Sequence, residues 1–87
     1  MKYTVIVNEK VLKEISKVPE NYKTKIKIFI ANLSDSYRPE GYDILKLKGY
    51  EKSFRCRIGI YRVIYDVQAN ELVVEVIKVG HRKDAYK

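Results

Sequence analysis

The chain of 87 residues is short of the residues that most often build catalytic sites: it holds one cysteine and one histidine. A lone Cys56 cannot close an internal disulfide, so a reducing compartment, the cytoplasm, is the expected setting. Cys56 stands between Arg55 and Arg57 in a strand-like run, and burial as a small hydrophobe is expected of it rather than thiol chemistry. No group of histidine, cysteine and carboxylates occurs at ligand spacing, so no metal is expected. Neither a glycine-rich phosphate loop nor a G-x-S-x-G elbow is present, and no small-molecule cofactor is expected. The apolar run after Met1 is too short for a signal peptide. Nowhere do about 18 apolar residues follow one another, so no membrane partner is expected.

What the chain has is positive charge. Eighteen Lys and Arg against eleven Asp and Glu leave it at +7. A surplus of that size on one small domain, spanning residues 1–87, favours a polyanion, nucleic acid above all, or an acidic protein; an ordinary basic surface is the plainer alternative. The surplus is uneven. Residues 1–43 carry eight basic and six acidic groups, whereas residues 44–87 carry ten and five.

Tyr3, Val5 and Val7 alternate with Lys2, Thr4 and Ile6, which predicts a first strand. Asn8 can cap a helix with Val11, Leu12, Ile15 and Val18 as its apolar stripe, and Pro19 ends it. Tyr22, Ile26, Phe29, Ile30 and Leu33 form the stripe of a second helix, with Lys23, Lys25 and Lys27 read as a solvated face. Residues 34–42, with Pro39 and Gly41, read as loop. The period then changes to two. Strands are predicted at 44–48, 53–58, 60–67 and 72–79, with turns at 49–52, Gly59 and 68–70, and Gly80 closing the last. The expected fold is α+β: an N-terminal strand, two helices, then a four-strand antiparallel meander, with both helices packed on one face of the sheet.

The other face is then available for function. Alternation puts Arg55 and Arg57 on one side of their strand and Phe54, Cys56 and Ile58 on the other. Arg62 follows five residues on, and joins that pair if the register allows. Guanidinium forks suit phosphate through paired charge-assisted hydrogen bonds. Lys46, Lys48, Lys52 and Lys83 add point charges for RNA, and Tyr61, Tyr65 and Tyr86 offer rings on which bases could stack. An exposed sheet face of no special purpose would show the same alternation. His81 is the one imidazole, and imidazole is suited to proton transfer at neutral pH; a solvated histidine in a basic tail is the alternative.

Four segments, Lys46-Leu47-Lys48-Gly49, Phe54-Arg55-Cys56-Arg57, Ile60 to Tyr65, and Val79-Gly80-His81-Arg82-Lys83-Asp84-Ala85-Tyr86, resemble in order and spacing the RelE branch of the RelE/ParE toxin superfamily. The likeness covers nearly the whole chain. It implies a toxin that enters the ribosomal A site and cuts mRNA there without metal, the 2′-hydroxyl attacking the adjacent phosphate. It implies catalytic roles for Arg55, Arg57, Arg62, His81, Arg82 and Tyr86. Arg62 matches the arginine at the scissile phosphate, Arg82 a tail arginine that assists charge or proton movement, and Tyr86 a tail tyrosine that orients the nucleotide. His81 lies where other branches place a histidine. Arg55 and Arg57 match strand positions that are usually lysine, and arginine does not release its proton. If a lysine is the base in relatives, His81 or Tyr86 would have to replace it here. The resemblance also implies a cognate antitoxin, expected to be acidic, beside the ribosome and mRNA. Two alternatives remain open: a ParE-like binder that inhibits DNA gyrase, and an inert RNA-binding relative.

Overall fold

The computed structural model describes residues 2–81. In chain order it contains β1 (Thr4–Val7), α1 (Glu9–Ser16), α2 (Glu20–Asn32), β2 (Asp43–Lys46), β3 (Ser53–Ile58), β4 (Tyr61–Gln68), a 3₁₀ turn (Ala69–Glu71) and β5 (Val73–His81). The five strands form one sheet in the order β1-β5-β4-β3-β2. The meander β2 to β5 is antiparallel, and β1 joins it parallel to β5. The α+β architecture is the one the sequence predicts.

Local chemistry accounts for the helices. The Asn8 side chain accepts a hydrogen bond from the Val11 N–H at 2.9 Å, satisfying one of the orphan donors at the start of α1. Pro19 stands at the N-cap of α2, where its missing N–H costs nothing. Val11, Ile15, Ile26, Phe29 and Leu33 bury against the inner faces of β3, β4 and β5, among them Cys56, Val63, Tyr65, Val74 and Val76. Leu12, expected on the inner stripe, is exposed instead: it lies one step round from Val11, and the narrow contact of α1 with β5 does not reach it. The Tyr65 hydroxyl donates to the Tyr37 carbonyl at 2.7 Å and so ties the 34–42 loop to the core. Burial raises the pKa of that phenol.

Two details differ from the sequence reading at the end of β5. Gly80 does not close the strand, which runs on to His81. The ladder between β4 and β5 also shifts register between Ile64 and Tyr65, so that β5 carries one extra residue there. Beyond Val76 the edge of β5 has no β1 partner. Glu14 of α1 fills that gap, accepting from the Val79 N–H at 2.9 Å while its other oxygen lies 3.5 Å from Lys78 Nζ.

Gly59 sits at the turn between β3 and β4 with φ +61°, and a Cβ there would lie 2.2 Å from Cε1 of Tyr22. Both the backbone and the space require glycine. Gly59→Ala is expected to cost about 1–3 kcal/mol, through left-handed strain and displacement of the Tyr22 ring. The check is thermal unfolding, where each kcal/mol shifts the midpoint of a domain this size by about 4–8 °C.

Candidate functional site

The register gathers three of the predicted arginines on the open face. Asp43 of β2 lies opposite Arg57 of β3, Arg57 opposite Arg62 of β4, and Arg62 opposite Gly80 of β5. These four residues form one row across four strands. Directly opposed side chains in such a ladder start only about 4.5–5.5 Å apart, and two like charges so placed repel. Arg57 and Arg62 therefore form a concentrated cationic pair on a face that, among the described residues, has no helix over it. Gly80 adds no side chain beside Arg62. The sequence reading places Gly80 outside the strand and so gives it no part in the site.

Arg55 lies one pleat away on the same face, between Leu45 and Ile64. The expectation of a solvent-facing Arg55 needs correction: the residue is only 5% exposed, the single buried charged residue among those described. One of its terminal nitrogens, Nη2, lies 3.4 Å from Asp43 Oδ1, and its Nε is buried without a hydrogen-bond partner. The other oxygen of Asp43, Oδ2, lies 3.9 Å from Arg57 Nε, within ion-pair range. Asp43 is thus shared by two arginines. Sequence reasoning misses it because it belongs to no predicted element, lying between the expected loop and the expected strand. Its only signal is its place one residue ahead of an alternating run.

A shallow groove of about 480 Å³ borders this end of the sheet, lined by Lys25, Ile28, Gly41, Tyr42, Asp43, Arg57 and Ile58. It brings a helix lysine, Lys25, to the same groove as Arg57. The sequence reads Lys25 as part of a solvated face, and nothing local to α2 distinguishes it.

The other expected residues are dispersed. Lys46 pairs in register with Phe54, on the face opposite to the arginines. Lys46 and Lys52 line a separate groove of about 770 Å³ beside the 3₁₀ turn, and Lys48 lies on the intervening loop. Lys46 is three residues along β2 from Asp43, about 10 Å at strand rise. His81 lies opposite Tyr61, with ring centroids 5.9 Å apart, and Tyr61 in turn packs on Tyr22 of α2 at 5.3 Å. The imidazole therefore starts from the helix-covered face, while Arg57 and Arg62 start from the other. Arg82, Lys83 and Tyr86 lie outside the described residues. Tyr65, offered as a stacking ring, is fully buried in the core. Among the described residues no group of three or more His, Cys, Asp or Glu could hold a metal ion.

Cys56 is buried, and desolvation, with a further contribution from Asp43, pushes its thiol up to about 12. The thiolate that would attack a disulfide reagent is then scarce at neutral pH. Native protein is expected to leave a thiol-exchange reagent unreacted at pH 8 and to react in full once unfolded in guanidinium, read by absorbance of the released chromophore.

Residues 5–86 match the family model described as the ParE toxin of the type II toxin–antitoxin system parDE. Putative toxin RelE1 of Methanocaldococcus jannaschii is 35% identical over 88 residues, an alignment that covers 100% of this chain and 98% of that protein. Among solved structures, the archaeal RelE–RelB complex from Pyrococcus horikoshii matches with a TM-score of 0.83 at 31% identity, covering 98% of this chain and 100% of that one. The isolated RelE toxin of E. coli matches with a TM-score of 0.74 at 28% identity, over 91% of this chain and 83% of that one.

Proposed function

The chain belongs to the RelE/ParE family of type II toxin–antitoxin toxins, and on that premise we propose that it is a ribosome-dependent endoribonuclease that cuts mRNA in the A site. The observation that carries this reading is the opposed pair Arg57 and Arg62 on the open sheet face. Two guanidinium groups that rise from opposed positions of neighbouring strands can share one anion through charge-assisted hydrogen bonds. An RNA phosphate is such an anion. Its charge builds further as the 2′-hydroxyl attacks phosphorus, and donors fixed before the reaction stabilise that charge at no reorganisation cost.

In this reading Arg62 grips the scissile phosphate and Arg57 shares the developing negative charge. The resemblance assigns Arg82 and Tyr86 further roles in the same reaction. Neither strand arginine can accept the proton of the 2′-hydroxyl. Tyr86 and His81 are the candidates for that task, and His81 would have to reach round the end of β5 to perform it. The reaction uses general acid–base and electrostatic catalysis without metal. The partner that restrains the toxin is a RelB-like antitoxin, by analogy with the RelE–RelB complex from P. horikoshii. An acidic antitoxin would meet the +7 surface with complementary charge.

A second reading, inhibition of DNA gyrase by binding, rests on the description of the matched family model as a ParE toxin. Primer extension on a defined mRNA in a translating extract decides between them. Cuts at A-site codons, absent when ribosomes are left out, are the expected result. Loss of gyrase supercoiling with intact mRNA would favour the second reading instead.

A further inference from the structure

We infer that Asp43 is a positioning residue, which uses the buried Arg55 as an anchor to aim the guanidinium of Arg57 at the RNA. The inference rests on the ribonuclease reading above, and it gives Arg55 a different part from direct contact with phosphate. Arg55 is 5% exposed and Arg57's side chain 44% exposed, although both point from the same face of β3. A buried guanidinium needs a counter-charge in place. Among the described residues Asp43 supplies it, through Oδ1 at 3.4 Å.

The same carboxylate then has one oxygen left, and it faces Arg57 Nε at 3.9 Å. A contact made through Nε occupies the inner edge of a guanidinium. The two terminal nitrogens of Arg57 stay available as a fork for a phosphate beside Arg62, its register partner. Without the carboxylate, Arg57 would swing on a flexible stem. Asp43 itself is held from the core. Its neighbour Tyr42 packs edge-on against Phe29 at 4.8 Å, and the Tyr42 hydroxyl accepts a hydrogen bond from Asn32 Nδ2 at 3.2 Å. The chain of support therefore runs from α2 through Tyr42 to Asp43 and on to Arg57.

The test combines single-turnover cleavage on programmed ribosomes with ¹⁵N NMR of the arginine Nε–Hε groups in the free protein, for wild type, Asp43→Asn and Asp43→Glu. Removing one negative charge from a basic face strengthens attraction to RNA, so a residue that mattered only for binding would not slow the reaction. Positioning predicts that Asp43→Asn lowers the cleavage rate at saturating ribosomes by about 10-fold or more. The half-saturating ribosome concentration stays unchanged or falls. Asp43→Glu recovers part of the rate, and the Arg57 Nε–Hε resonance moves in Asp43→Asn at a temperature where that variant is fully folded. Asp43→Asn cleaving at the wild-type rate, or losing activity only through weaker ribosome binding, would overturn the inference. If wild type does not cut at all, the ribonuclease reading fails, and the NMR arm decides the clamp alone. An Arg57 resonance that moves in Asp43→Asn upholds it, and one that stays in place overturns it. Should Asp43→Asn fail to fold, Asp43→Glu, whose carboxylate sits one methylene further out, carries the kinetic readout: a lowered cleavage rate with the half-saturating ribosome concentration unchanged upholds the clamp, and a wild-type rate overturns it.

Discussion

Arg62→Ala is expected to reduce ribosome-dependent cleavage by about 10²–10³-fold, the usual cost of removing one preorganised donor from a developing anion. The argument is positional. Arg62 occupies the central strand β4, paired on both sides. Opposite it stand Arg57 on one flank and Gly80 on the other. Arg62→Lys keeps the charge but loses the two-pronged geometry, so an intermediate rate is expected. The fold should tolerate both changes, because the side chain lies on the face away from the core. Quantitative primer extension against wild type, with melting midpoints measured alongside, checks this. Cleavage by Arg62→Ala within threefold of wild type would remove the arginine row as the catalytic face.

The two faces of β3 and the inner stripe of α2 are legible in the residue pattern alone. Alternation in 53–58 separates Phe54, Cys56 and Ile58 from Arg55 and Arg57, and the period of α2 selects Ile26, Phe29 and Leu33 as core. Such periodic signals are local, because one face of each element is buried. What local pattern cannot carry is register and depth. Whether Arg62 meets Arg57 depends on the turn at Gly59, which sets the pairing of two strands. That Arg55 is buried while Arg57 is not follows from neighbours on other strands, Leu45 and Ile64, and from an acidic partner, Asp43, twelve residues away. Lys46 shows the converse. Its type suggests the basic face, but its register partner is Phe54, so its side chain starts on the other side of the sheet. His81 is separated from the arginines in the same way, by a strand that runs one residue past Gly80.

The largest expected effect on stability is that of Phe29→Ala, at about 3–5 kcal/mol. Phe29 is fully buried and stands where α2 meets the sheet, its ring 4.8 Å from Tyr42 and 5.8 Å from Tyr65. Removing it opens a cavity that two tyrosine rings line, and neither can collapse into it freely. The Tyr65 hydroxyl is held by the Tyr37 carbonyl, and the Tyr42 hydroxyl by Asn32. Domains of this size hold only about 4–13 kcal/mol in total, so the variant should unfold at least about 12 °C below wild type. Guanidinium unfolding followed by circular dichroism gives the difference directly, and Phe29→Leu, which leaves a smaller cavity, should lose less. A loss under about 1 kcal/mol would mean that α2 is not seated as described. The consequence reaches the site. Tyr42 is the residue before Asp43, so a slackened Phe29 pocket loosens the carboxylate that two arginines share. Even at a temperature where Phe29→Ala is fully folded, its cleavage rate should then fall further than its RNA affinity, because the charges remain and only their aim is lost.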